Sequence, residues 1–232
     1  MGLLEQLDPG HYRFERKFAI SSMPPSQIGV FIRRHPSLFS KAYPNRYVNN
    51  IYFDTIDKSH YWDNVDGNSR RIKVRIRWYN KLFGRIIQPV LEFKIKNNLL
   101  GSKVCIPLKS FSIDEKFTID KIRNRFSKIP VSNNLYHYLL SLDFSLINRY
   151  KRQYFESFDK QYRITLDSEL KFFKPHQSAN FKFHKAINNT SSVLELKYDE
   201  KYDEFANYVA GNFPFRMTKN SKYVLGVESS NS

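Results

Sequence analysis

Apolar and ionic residues alternate with a period of two along much of this chain, most clearly in Arg70-Arg71-Ile72-Lys73-Val74-Arg75-Ile76-Arg77-Trp78-Tyr79. Ile72, Val74, Ile76 and Trp78 point one way, and Arg71, Lys73, Arg75 and Arg77 point the other. The apolar side is β-branched and aromatic, which suits a pleated strand. Cations of one sign spaced about 7 Å apart on a strand face repel unless water or an anion screens them.

The pattern recurs. Tyr12 to Ile20 sets Phe14, Arg16, Phe18 and Ile20 against Arg13, Glu15, Lys17 and Ala19. Tyr47 to Asp54 reads as a strand, as do Val90 to Lys96, Lys103 to Leu108, Leu146 to Phe155, Tyr162 to Leu170 and Val193 to Tyr198. Pro89 suits an edge, a bulge or a first strand residue. A short strand is expected around Phe181 and Phe183.

Helical spacing separates these strands. Ile28, Phe31, Ile32 and His35 follow a start at Ser22 to Pro25 and stop at Pro36. Thr55 or Asp57 is placed to cap a short helix through Tyr61, Trp62 and Val65. Two further patterns run from Ile119 to Ile129 and from Val131 to Leu142, and another from Tyr202 to Gly211. The ordered part is expected to close near Gly226, with Glu228 to Ser232 loose.

Composition narrows the partners. In 232 residues, 41% are hydrophobic and 16% aromatic, enough for a sizeable core. No apolar run approaches the roughly 20 residues of a membrane span, the first residues lack a signal-peptide pattern, and Cys105 alone forms no internal disulfide, so a cytoplasmic protein is expected. Cys105, flanked by Val104 and Ile106, is expected to be a buried structural thiol. A formal net charge of +16 calls for an anionic partner. The histidines His11, His35, His60, His137, His176 and His184 show no ligand spacing and are read as surface or packing residues.

The ionic faces each combine cations with one carboxylate, namely Glu15, Glu92, Asp167 or Glu195. A sandwich with its ionic face in water produces the same alternation. A sheet closed on itself also accounts for the helices that must cover the apolar faces. The expected fold class is therefore α+β, a closed antiparallel β-barrel with a charged lumen and peripheral helices. It forms one domain over residues 1–232 with an ordered core at about 11–227. Such a lumen suits a dense polyanion, with arginine forks on phosphate oxygens and carboxylates free to balance cations or hold a hard divalent metal. Nucleic acid is the rival ligand, but Phe14, Phe18, Trp78 and Phe93 fall on the face opposite the cations, which disfavours base stacking.

The runs Glu15-Arg-Lys17-Phe, Ile51-Tyr-Phe-Asp54-Thr, Lys73-Val-Arg-Ile-Arg77-Trp-Tyr, Leu91-Glu-Phe-Lys94, Tyr150-Lys-Arg152, Arg163-Ile-Thr-Leu-Asp167, Leu194-Glu-Leu-Lys197 and Ser221-Lys-Tyr223 occur in the order seen in the VTC domain. The chain resembles this polyphosphate-polymerase branch of the CYTH-like triphosphate tunnel metalloenzymes, in a stand-alone bacterial-type form. The resemblance implies transfer of the γ-phosphoryl group of ATP to a growing polyphosphate chain. It implies phosphate contacts from Lys17, Arg75, Arg77, Lys94, Arg152 and Arg163, and substrate contacts from Lys103, Tyr150, Lys197, Lys219, Ser221 and Lys222. It places the metal, Mn2+ or Mg2+, on Glu195, with Glu15 either a second ligand or a partner of lumen cations. Arg13 replaces the first glutamate of the wider superfamily's Glu-x-Glu-x-Lys opening, which favours the polymerase over a plain triphosphatase. ATP and polyphosphate are the implied partners, with nucleic acid unexpected and room for a separately encoded membrane protein that would hold the chain at the inner membrane face. An inorganic triphosphatase and a non-catalytic polyphosphate- or triphosphate-binding module are the alternatives.

Overall fold

The structure, a computed structural model, describes Leu7 and residues 12–174 and 186–230. The chain runs β1 (Arg13–Ile20), α1 (Pro25–Arg33), β2 (Ser40–Asp54), α2 (Ser59–Val65), β3 (Arg70–Tyr79), β4 (Gly84–Ile86), β5 (Val90–Asn97), β6 (Leu100–Pro107) and β7 (Phe111–Ile113). It continues through α3 (Ile119–Phe126), α4 (Asn133–Ser141), β8 (Asp143–Glu156), β9 (Tyr162–Phe173), β10 (Ile187–Asn189), β11 (Ser192–Asp199), a 3-10 turn at Glu200–Tyr202, α5 (Asp203–Gly211) and α6 (Lys222–Ser229). The strand expected around Phe181 and Phe183 lies outside the described residues, as do His11, His176 and His184.

Nine strands pair antiparallel in the order β10-β9-β11-β1-β6-β5-β3-β2-β8, and β8 pairs back to β9, so the sheet curls into a ring. Its thinnest seam is between β1 and β6, which share only the pairs Arg13 with Gly101 and Phe14 with Leu100. Beyond Phe14 the segment before α6 covers the edge of β1. The amide of Thr218 donates to the carbonyl of Lys17 at 2.8 Å, and the amide of Ala19 donates to Thr218 Oγ1 at 3.0 Å.

Period-two alternation decides which side chains face out. Ile72, Val74, Ile76 and Trp78 join Leu91, Phe93 and Ile95 in an outer core, covered by Ile122 and Phe126 of α3 and Leu135 and Leu139 of α4. On the other flank Phe18, Ile164, Leu166, Leu194 and Leu196 pack under Ile28 and Ile32 of α1 and Ala206 and Val209 of α5. Each such side chain contributes about 1.5–3 kcal/mol on burial. The histidines His35 and His60 are buried in packing roles, with His35 Nε2 2.9 Å from the Val209 carbonyl oxygen and His60 Nε2 hydrogen-bonded to the Tyr138 hydroxyl.

A third apolar cluster breaks the simple picture of an ionic interior. Val48, Tyr52, Leu146, Tyr150, Leu170, Phe172 and Val193 turn inward and pack on Tyr223 and Val227 of α6. The C-terminal segment is thus a helix set against the inner wall and not a loose tail; Glu228 and Ser229 belong to it. Tyr223 stacks on Tyr52 with ring centres 5.0 Å apart, and its hydroxyl donates to buried Asp54. A Cβ at Gly226 would lie 2.4 Å from Leu146 Cδ2 and 2.6 Å from Phe172 Cδ1. Gly226→Ala is therefore expected to cost about 1–3 kcal/mol through overpacking, read as a lower melting temperature. An unchanged melting temperature would show that α6 does not sit this close.

Several local expectations shift. Neither Thr55 nor Asp57 is the N-cap of α2. That position is Lys58, in a left-handed conformation (φ 59°), and Asp54 accepts the first-turn amides of His60 and Tyr61 at 2.9 and 3.0 Å. The N-cap of α1 is Pro24 and not Ser22. Pro89 immediately precedes β5. Among the described residues, no helix is long and apolar enough to cross a membrane.

Candidate functional site

The ring converts sequence alternation into convergence. On β3, Arg75 donates to Glu92 through Nε at 2.8 Å and Nη2 at 2.7 Å, and Arg77 Nη1 reaches the other oxygen of Glu92 at 3.2 Å. Register explains the pairing, since Arg75 lies directly opposite Glu92 of β5. Lys103 of β6 approaches Glu92 at 3.7 Å and is half-exposed. Two residues along β5, Lys94 Nζ donates to both oxygens of Glu15 of β1, at 3.0 and 2.8 Å.

A second cluster is built around Glu195. Lys197 and Lys222 each stand 3.0 Å from it, Arg152 at 3.7 Å and Lys17 at 4.0 Å. Arg152 also forks onto Asp167, with both bonds at 2.6 Å, and Lys222 meets the same carboxylate at 2.6 Å. Tyr150 lies beneath both cations, its ring centre 5.2 Å from the Arg152 guanidinium carbon and 5.1 Å from Lys222 Nζ. Lys17 bridges the clusters, 3.9 Å from Glu15, and donates to the Asn220 carbonyl at 3.0 Å. Ser221 caps α6, accepting from the Val224 amide at 3.3 Å and from Lys73 Nζ at 2.8 Å.

Most of the residues singled out from the sequence therefore meet inside the ring. Lys219 and Arg163 stand apart. Lys219 is exposed on the rim of a cavity of about 780 Å³ that also takes in Glu15, Lys17, Arg71, Lys73, Lys94, Lys96 and Ser221. Arg163 is 61% exposed and donates to Glu156 Oε1 at 3.1 Å. Cys105 is exposed and not a buried thiol, because it shares the inward face of β6 with Lys103, opposite Glu92. Lys73, Arg71 and Lys96 join the site on the same alternation that marked their neighbours. Asn50 and Asn148 gave no charge signal. Their side chains pair at 2.8 Å, and Asn50 accepts from Arg77 Nε at 3.1 Å.

Charge balance sets the protonation states. Burial opposes ionisation of Glu195, but Lys197, Lys222, Lys17 and Arg152 hold its carboxyl well below the usual range. Burial likewise opposes ionisation of Glu15, and Lys94, Lys197 and Lys17 overcome it. The largest influences on Lys73 include no carboxylate. Burial, then Lys17, Lys94, Arg71 and Arg75, push its ammonium well below the ordinary 10.5. Burial brings Lys96 down to about 8 despite Glu15.

A pH dependence follows. Between pH 8 and 9 the folded protein holds fewer protons on Lys96 and Lys73 than the unfolded chain does, so these lysines make ligand-free stability rise with pH there. That window lies below the range near 10 where unfolded tyrosines ionise and Tyr138, Tyr198 and Tyr223 of the folded protein do not. An anion in the cavity favours the charged lysines and reverses the trend. The melting temperature should climb from pH 8 to 9 without ligand, while the increment produced by tripolyphosphate shrinks. A tripolyphosphate increment constant over this range would show that these lysines do not face the anion.

The aromatic faces divide less cleanly than the sequence suggests. Phe14, Phe18, Trp78 and Phe93 pack outside the ring. Tyr79 and Tyr154, however, share faces with Arg77 and Arg152, and Tyr43 lies opposite Tyr154.

The profile of the VTC domain matches residues 12–231. The chain belongs to the VTC domain family. No curated protein matches this VTC domain. Among solved structures, HpAC1 from Hippeastrum, described as having a dominant triphosphatase activity, is similar at a TM-score of 0.54 and 13% identity, over 94% of this chain and 96% of that one. An adenylate cyclase-type protein of Vibrio parahaemolyticus gives a TM-score of 0.50 at 12% identity, over 92% and 98% of the two chains. A conserved protein of Pyrococcus furiosus gives 0.50 at 12%, over 92% and 99%. At these identities the likeness is one of fold: the curled antiparallel ring of this VTC domain is shared with these proteins.

Proposed function

We propose that this VTC domain is a polyphosphate polymerase that passes the γ-phosphoryl group of ATP to the end of a growing polyphosphate chain. The observation that carries this reading is the convergence of Lys17, Arg75, Arg77, Lys94, Arg152, Lys197 and Lys222 on one enclosed axis, where they outnumber the carboxylates Glu15, Glu92, Asp167 and Glu195. Family membership and the tunnel fold support a triphosphate- or polyphosphate-related activity of the phosphoryl-transfer type.

The chemistry asks for positioning more than for covalent help. The terminal oxygen of a polyphosphate chain is already anionic, so no general base is needed. The bond from Pγ to the β,γ-bridging oxygen breaks, a bond from Pγ to the acceptor oxygen forms, and ADP leaves. Arginine forks and lysine ammoniums hold donor and acceptor in line and neutralise charge on the transferring group. Arg75 and Arg77 are braced by Glu92, and Arg152 by Asp167, so their guanidinium planes are fixed before substrate arrives.

Glu195 and Glu15 suit a magnesium or manganese ion in a limited way. Both are held ionised by the surrounding cations, and both lie within 4.0 Å of Lys17 Nζ. No group of three or more histidine, cysteine, aspartate or glutamate side chains forms a metal site among the described residues. An ion held by these carboxylates would take its remaining ligands from water and phosphate oxygens, as magnesium does in many phosphoryl-transfer sites. When bound, it would supply additional charge neutralisation at the phosphates.

Purified protein incubated with ATP and manganese should yield ADP and acid-stable polymer. Orthophosphate without polymer would make it a triphosphatase, with water as the acceptor. Absence of turnover, with tripolyphosphate still raising the melting temperature, would leave a binding module. At a hundredfold excess over its dissociation constant, that ligand stabilises by about 2.7 kcal/mol. We further propose a cytoplasmic location and action alongside a separately encoded membrane protein that receives the product.

A further inference from the structure

At the end of β3 remote from Lys73, the inward surface changes from ionic to aromatic. Tyr79 follows Arg77 by two residues on the same strand face. Arg46 of β2 stands opposite Arg152 of β8, and Tyr154 follows Arg152 by two. The guanidinium carbon of Arg46 lies 4.7 Å from the ring centre of Tyr79 and 4.9 Å from that of Tyr154. Tyr43 meets Tyr154 edge-on at 5.7 Å. Arg46 Nε is buried and makes no hydrogen bond, so rings hold this part of the guanidinium where a carboxylate would hold an ordinary arginine. Tyr79 and Tyr43 nevertheless remain 40% and 57% exposed.

A polyphosphate chain has no use for this surface, because it offers charge and no flat face. Exposed rings braced by a cation, adjoining a row of phosphate-binding arginines, match a ligand that carries both a π-system and phosphates. The spacing fits as well. Two residues along a strand are about 7 Å, a separation that a ribose bridges between its phosphates and its base. Tyrosine rings read the face of a base and little of its edge, so the surface would favour any nucleoside triphosphate over bare triphosphate.

We propose that Tyr79 and Tyr154, braced by Arg46, form with Tyr43 a nucleobase platform that seats the donor nucleotide with its phosphates toward Arg77 and Arg152. The proposal rests on the reading above that a triphosphate occupies the ring. It makes these residues determinants of donor selection.

The test compares two ligands on the same protein by calorimetry, ATP and inorganic tripolyphosphate. Tyr79→Ala should weaken ATP binding about five- to tenfold, within the range found for loss of one base–aromatic stack, and change tripolyphosphate binding less than about twofold. Tyr79→Phe, which keeps the ring, should retain wild-type affinity for both. If Tyr79→Ala lowers the melting temperature, Tyr43→Ala, at a more exposed position, carries the same comparison. Equal weakening of both ligands, or undiminished ATP affinity in both variants, overturns the platform and leaves the phosphate site standing. Wild-type protein that binds neither ligand overturns the phosphate reading and the platform with it.

Discussion

Asp167→Asn should lower the melting temperature of the ligand-free protein by roughly 6–20 °C, the largest stability effect expected from a single charge. Asp167 is fully buried, accepts two bonds from Arg152 and forms an ion pair with Lys222, all at 2.6 Å. Its ionised state is held against burial by those two cations. Asparagine preserves the shape and removes the charge, leaving Arg152 and Lys222 to share Glu195 at 3.7 and 3.0 Å. Breaking a buried pair from one side costs about 3–5 kcal/mol, and for a domain of this size each kcal/mol moves the melting temperature by about 2–4 °C. The same deficit should be partly repaired by tripolyphosphate, whose charge replaces the missing carboxylate. A variant whose melting temperature matches wild type, or whose deficit is identical with and without tripolyphosphate, would show that this cluster is not open to the ligand.

Glu195→Gln should separate binding from turnover. The carboxylate stands among Lys17, Lys197, Lys222 and Arg152, so neutralising it makes the ring more cationic. Tripolyphosphate should bind as tightly as to wild type or more tightly. Turnover of ATP with manganese should fall by at least about a hundredfold, on the scale of losing one preorganised charge-stabilising group. Lost affinity together with lost turnover would point to a collapsed site, and retained turnover would remove Glu195 from the machinery. Circular dichroism and the melting temperature report whether the fold survives.

Much of the fold was legible because the strands obey a strict period of two. Arg71, Lys73, Arg75 and Arg77 could share a face only if Ile72, Val74, Ile76 and Trp78 shared the other, and the structure keeps that division. The motifs then ordered those strands into a known family. Legibility failed where no periodicity operates. Asn50 and Asn148 are neutral amides that add nothing to a charge pattern and acquire meaning only as partners, Asn50 pairing with Asn148 and accepting from Arg77. Cys105 looked like a core residue from its neighbours Val104 and Ile106, yet it faces inward with Lys103. The segment from Lys222 to Ser229 is short and lacks a strong amphipathic pattern; it is a helix because Tyr223, Gly226 and Val227 fit the inner wall.

By itself the sequence determined the faces of each strand, the excess of positive charge, and hence the need for an anion, because alternation and net charge are local and additive properties. Tertiary structure decided which carboxylate steadies which cation. It also decided that α6 lies against the inner wall, and that Arg46, Tyr79 and Tyr154, far apart in the chain, form one surface. Those outcomes depend on strand register around a closed ring, where each pairing is fixed by all the others, and no window of sequence contains that constraint.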